Sequence, residues 1–152
     1  MATMALSAAD SDQVGTMKAV VRKRFGSPEA LALGEVDKPA VADDAVLVRV
    51  RASSVNRGDW YAMAGKPLVG RPMMGLRRPK SPLLGGDFAG IAEAVGKDVT
   101  DVEVGDEVFG ARAGAFAEYV AARQCVGVKP ANLTFEEAAA VPIAALTALQ
   151  GL

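Results

Sequence analysis

At 152 residues, 51% of them hydrophobic, the chain has the length of one domain and the apolar content of a packed core, not of a disordered segment. Its 17 basic and 18 acidic residues leave a net charge of −1, which gives nucleic acid or an anionic membrane no electrostatic footing. With no histidine and one cysteine, it can build neither a serine–histidine triad, nor a histidine-ligated metal site, nor an internal disulfide.

Residues 1–16 lack a basic start and carry too short an apolar stretch for a secretory signal, so a flexible extension is expected there. No apolar run approaches the roughly 18 residues of a membrane-spanning helix. The organised sequence begins at Met17. Met17–Phe25 alternates, with Ala19, Val21 and Phe25 on one face and Lys18, Arg22 and Arg24 on a wet face with Val20. Gly26-Ser27-Pro28 ends that strand, and Ala30–Val36 reads as a weaker second one. Ala45–Val55 is the strongest strand, with Val46, Val48, Val50 and Ala52 facing one way and Leu47, Arg49 and Arg51 the other.

The period changes at Asn56–Gly65. Asp59 can cap a short helix carrying Trp60, Tyr61 and Met63, and Gly65 can end it. Lys66–Pro82 is a long loop with four prolines, carrying Lys66, Arg71, Arg77, Arg78 and Lys80; it reads as a solvated basic loop, with guidance of an anionic ligand as the sharper alternative.

Leu83–Gly110 has the grammar of paired strands in a small barrel: the turn Gly85-Gly86-Asp87, the apolar run Phe88–Val95, and a second break at Gly105-Asp106. Ala115–Ala121 reads as a strand, and Cys125–Val128 as a short one in which Cys125 is expected to be a small buried hydrophobe. Thr134 and Glu137 form a capping box for a helix through Ala138–Ala140, and Pro142 can start a second helix with Ile143, Leu146 and Leu149 at helical spacing. Nothing earlier in the chain reads as the packing partner of that last helix.

The ordered pieces MKAVV, VRVRASSVNRGDWYAMAG, LLGGDFAGIAEAVG, VGDEVFG, GAFAEYV and LTFEEAAAVPIAALTALQGL resemble the N-terminal, GroES-like part of medium-chain dehydrogenases/reductases, the alcohol dehydrogenase and quinone oxidoreductase superfamily. The resemblance implies a mainly β fold with a few helices, a partly open barrel, over residues 17–131. It implies linking helices over 132–152 that lead into a Rossmann domain, whose glycine-rich dinucleotide fingerprint the chain lacks.

In zinc-dependent members a cysteine, a histidine and usually a second cysteine hold the catalytic metal; by resemblance those positions are Asn56, Gly86 and Ile143 here. None is a usable zinc ligand, and the family's four-cysteine lobe is replaced by a short Gly-Ala-rich turn between Val108 and Phe116, so no metal site is expected. The chemistry then implied is hydride transfer from NADPH to a quinone or an α,β-unsaturated carbonyl.

The resemblance puts Asn56 and Tyr61 in the substrate and nicotinamide pocket, with Asp59 beside them, and brings Thr147 near the nicotinamide carboxamide; the competing roles are a strand-end turn for Asn56, packing at a helix–barrel seam for Tyr61, a helix cap for Asp59 and a bond back to its own helix backbone for Thr147. Asp87 is expected to hold the backbone donors of the glycine turn. The implied whole protein is a cytoplasmic homo-oligomer acting on a small molecule, with no nucleic acid and no membrane span, and the fragment alone is expected to be inactive. A non-catalytic GroES-like module and a zinc-free alcohol dehydrogenase-like protein are the alternatives.

Overall fold

The computed structural model describes residues 15–152. The extension expected over 1–16 lies outside the described residues except for Gly15 and Thr16, and Thr16 already opens the first strand. Strand β1 (Thr16–Arg22) pairs antiparallel with β2 (Leu31–Asp37), from Thr16↔Asp37 to Arg22↔Leu31. A second, antiparallel sheet has the order β6-β3-β4-β5-β7. Its strands are β3 (Val46–Ala52), β4 (Asp87–Val95), β5 (Glu107–Ala111), β6 (Tyr119–Ala122) and β7 (Val126–Val128). This sheet curls into a half-barrel. Isolated bridges Ala19↔Ala117 and Val21↔Leu83 tie it to β1.

Side-chain alternation decides what each face meets. Val46, Val48, Phe88, Ala92, Val108 and Val120 fill the interior of the curl, with Phe88 fully buried. Ala89, on the other face of β4, packs under Ala138 and Ala139 of α3 (Phe135–Ala139). Ala52 belongs to this outer cluster although Val50 packs against the inner one; a register shift between them turns the strand over. The single continuous face expected over Val46–Ala52 therefore breaks at its end.

The expected strand Ala115–Ala121 is split between two partners. Its first half bonds to β1, through Val20 N to Phe116 O at 2.8 Å and Glu118 N to Lys18 O at 3.0 Å; only from Tyr119 does it pair with β3. Arg22, expected on a wet face, is 7% exposed, because helix α1 (Arg57–Ala64) ends over it. Its Nη1 donates to Ala62 O, and its guanidinium lies 5.4 Å from the Phe25 ring centroid. Cys125 is exposed, not buried: it sits in a tight turn at φ 53, which directs its side chain outward.

The long basic loop contains a 3-10 turn, Leu68–Gly70, and the one-turn helix α2 (Arg71–Met74). Arg71 is structural there: its Nε donates to Gly65 O at 2.7 Å, at the end of α1. The capping box of α3 forms as its spacing predicts, with Glu137 N donating to Thr134 Oγ1 at 3.2 Å and Thr134 N to Glu137 Oε2 at 2.9 Å. Helix α4 (Pro142–Gln150) does find a partner: its first turn leans on β5 and buries Pro142, while Leu146 and Leu149 stay exposed. Among the described residues no helix is long and apolar enough to cross a membrane.

Candidate functional site

The start of α1, the turn before β4 and the start of α4 converge. Asn56, not Asp59, is the N-cap of α1; Asp59 sits at the third helical position and answers it, accepting from Asn56 N at 2.8 Å through Oδ2. The turn is held by its own glycines. Gly85 has φ 94, and a Cβ there would lie 2.5 Å from Phe116 N. Gly86 O accepts from Arg112 N at 2.6 Å, which brings the β5–β6 connection over the turn.

Asp87 is fully buried and has no carboxylate–cation pair among the described residues. Its Oδ2 accepts from Asn56 Nδ2 at 2.9 Å and from Ser54 Oγ at 3.1 Å. Its Oδ1 accepts from Ile143 N at 3.1 Å. It therefore does not hold the glycine turn, the role its sequence position suggests. Helix α4 has Val141 at its N-cap, with no acceptor, and Pro142 next, with no N–H. Ile143 N is thus the first free donor, and Asp87 caps it from across the fold, where the positive end of the helix favours a carboxylate.

These elements enclose an open cleft of about 380 Å³, whose walls include Asn56, Asp59, Gly86, Arg112 and Ile143. Burial holds the Asp59 carboxyl above the usual carboxylate range; the Asp87 charge adds to this, against the pull of the Asn56 and Gly85 backbone donors. An apolar pocket of about 270 Å³, walled by Trp60, Met63, Leu84 and Phe116, meets the cleft at Asp59.

Of the residues singled out from sequence, Asn56 and Asp59 share the cleft. Tyr61 does not line it; it is 38% exposed and stands edge-on to Trp60 at 5.1 Å between ring centroids. Thr147 is exposed one turn beyond Ile143, on the same side of α4. Two residues of the cleft were not anticipated as functional. Ile143 is one. Arg112 is the other, and the signal for it was a lone charge inside the Gly-Ala-rich turn.

A zinc ion does not fit these residues. Gly86 carries no ligand atom, and a Cβ there would lie 2.4 Å from Ile143 Cδ1, so hydrocarbon fills the space a ligand side chain would need. Both Asp87 oxygens are engaged. Among the described residues no three of His, Cys, Asp and Glu are grouped to hold a metal.

Comparison with known proteins matches residues 42–142 to the alcohol dehydrogenase GroES-like domain. The chain is 38% identical over 144 residues to a quinone oxidoreductase of Sus scrofa, covering 90% of this chain and 40% of that protein. It is 31% identical over 156 residues to the NADPH-dependent alkenal/one oxidoreductase of the Arabidopsis thaliana chloroplast, covering 95% of this chain and 39% of that one. The solved quinone oxidoreductase of Coxiella burnetii superposes with a TM-score of 0.80 at 34% identity, over 91% of this chain and 44% of its own. The chain thus spans about 40% of the length of the curated relatives it matches.

Proposed function

The chain belongs to the family of alcohol dehydrogenase GroES-like domains, in the medium-chain dehydrogenase/reductase superfamily, and from that premise we propose that it forms the substrate side of a zinc-independent, NADPH-dependent reductase of quinones or α,β-unsaturated carbonyls. The observation that carries this reading is the closed metal position: Gly86 backed by Ile143, with Asp87 turned to Asn56 and α4. A zinc alcohol dehydrogenase stabilises an alkoxide with its metal; without one, reduction of an already polarised acceptor is the easier chemistry. The names of the Sus scrofa and Arabidopsis thaliana relatives support that class.

NADPH, when bound, supplies the hydride. The chain's own residues bind and orient the acceptor. Asn56 fixes the first turn of α1 against Asp87 and forms one wall of the cleft. Asp59, bonded to Asn56 N at the first turn of α1, forms part of the same wall beside the acceptor. Tyr61 contributes a phenol donor from the outer side of α1, and Thr147 meets the nicotinamide end from α4; both assignments rest on the family resemblance. Residues 17–131 form the substrate domain and 132–152 the link to a nucleotide-binding domain, in a cytoplasmic homo-oligomer.

The test is a two-dimensional amide spectrum of the ¹⁵N-labelled chain titrated with duroquinone or cyclohex-2-enone. Saturable shifts are expected at Asn56, Gly58, Gly86 and Ala113. Shifts absent from these residues, or confined to other surfaces, would contradict the assignment of the cleft.

A further inference from the structure

We propose that Arg112 is a catalytic residue of this reaction, its guanidinium taking the charge that develops on the acceptor oxygen. The inference rests on the reading of the cleft given above. Arg112 is the only cation among the cleft's lining residues. Its backbone is fixed to the glycine turn by the 2.6 Å bond from Arg112 N to Gly86 O, so its side chain starts beside the position where zinc relatives carry a metal ligand. It is exposed, and no acidic group among the described residues forms an ion pair with it. Its neighbours Ala111, Ala113 and Gly114 are small, and Arg112 also lines two adjoining pockets.

When bound, NADPH would supply a hydride to the β-carbon of the enone. The C=C pair moves to the α-carbon–carbonyl bond, and the carbonyl pair moves onto oxygen. The resulting enolate oxygen accepts from the Arg112 N–H groups, and water then delivers a proton to the α-carbon. NADPH is oxidised to NADP⁺ and the C=C bond is reduced. A planar guanidinium offers two donors to such an oxyanion, the charge-stabilising role that a metal plays as Lewis acid.

The test uses the 152-residue chain with two probes, 4-nitrophenolate as a mimic of the enolate oxygen and cyclohexanone as a neutral ligand, each followed by amide shifts at Gly86 and Ala113. Arg112→Gln is expected to weaken phenolate binding about tenfold, as loss of a charge-assisted pair does, and to leave cyclohexanone within about twofold. Arg112→Lys is expected to fall between, because a point charge lacks the fork. Circular dichroism checks that the variants stay folded. Equal phenolate binding by wild type and Arg112→Gln would overturn the role of Arg112 while leaving the cleft intact. Failure of both probes to reach Gly86 and Ala113 would overturn the reading of the cleft itself.

Discussion

Replacing Asp87 by alanine removes one acceptor group and strands three donors: Asn56 Nδ2, Ser54 Oγ and Ile143 N. Hydrogen bonds to a charged group are each worth about 1.5–3 kcal/mol net, so the simple sum would be roughly 4.5–9 kcal/mol. That sum is too large. The substitution also relieves the burial of a carboxylate without a paired cation, an offset of several kcal/mol. A global loss of about 3 kcal/mol is expected for Asp87→Ala, within the usual range for a broken buried network. Asp87→Asn keeps the shape and one acceptor but turns an N–H toward an existing donor, for a loss of about 2 kcal/mol. Urea denaturation measures both. The sharper readout is local. If Asp87 caps α4, hydrogen exchange at Ile143 should accelerate about 30-fold in Asp87→Ala from fraying of the first turn, beyond the change in global stability. The Asn56 side-chain amide signals should move as well. A variant within about 0.5 kcal/mol of wild type, with Ile143 exchange unchanged, would refute the reasoning.

The two glycines of the turn should respond differently. Gly85→Ala places a Cβ at φ 94 and 2.5 Å from a backbone nitrogen, and should cost about 3 kcal/mol, whereas Gly86→Ala meets only the movable end of Ile143 and should cost about 1 kcal/mol or less in the same urea assay; the reverse order would contradict the packing described. Asp59 has a folded-state value raised by burial, so the folded chain holds more protons than the unfolded one between about 3.9 and that raised value. Its contribution to stability should therefore grow as pH falls through that window, and wild type should gain relative to Asp59→Asn on acidification; a gain on raising the pH would have the wrong sign. Isothermal titration calorimetry of the chain with NADPH should show no submicromolar binding, because the sequence carries no phosphate-cradling glycine loop; submicromolar affinity would contradict this.

Local periodicity made much of this fold legible. The alternation of Val46–Val50, the capping box at Thr134 and the breaks at Gly65 and Gly105 depend on near neighbours, and they stand where their spacing puts them. What escaped depends on distant chain. Arg22 is buried by a helix end some 40 residues away, and Ala52 changes face at a bulge that no alternation announces. Asp59 and Asn56 exchanged cap roles because both residue types suit that turn and only geometry separates them. The bond from Ile143 to Asp87 spans 56 residues, so neither the capping of α4 nor the closure behind Gly86 could be read from local pattern. Once the resemblance assigns the zinc-ligand positions to Asn56, Gly86 and Ile143, residue type alone argues against ligation there, since a glycine has no donor in any fold.

Metal analysis tests most directly whether the proposed reductase cleft works without a metal. The chain would be expressed in zinc-supplemented medium, purified without chelator and examined by inductively coupled plasma mass spectrometry. The account predicts zinc far below one ion per chain, with an unchanged amide spectrum on adding zinc. A stoichiometric ion that shifts Asn56, Gly86 and Asp87 would contradict it.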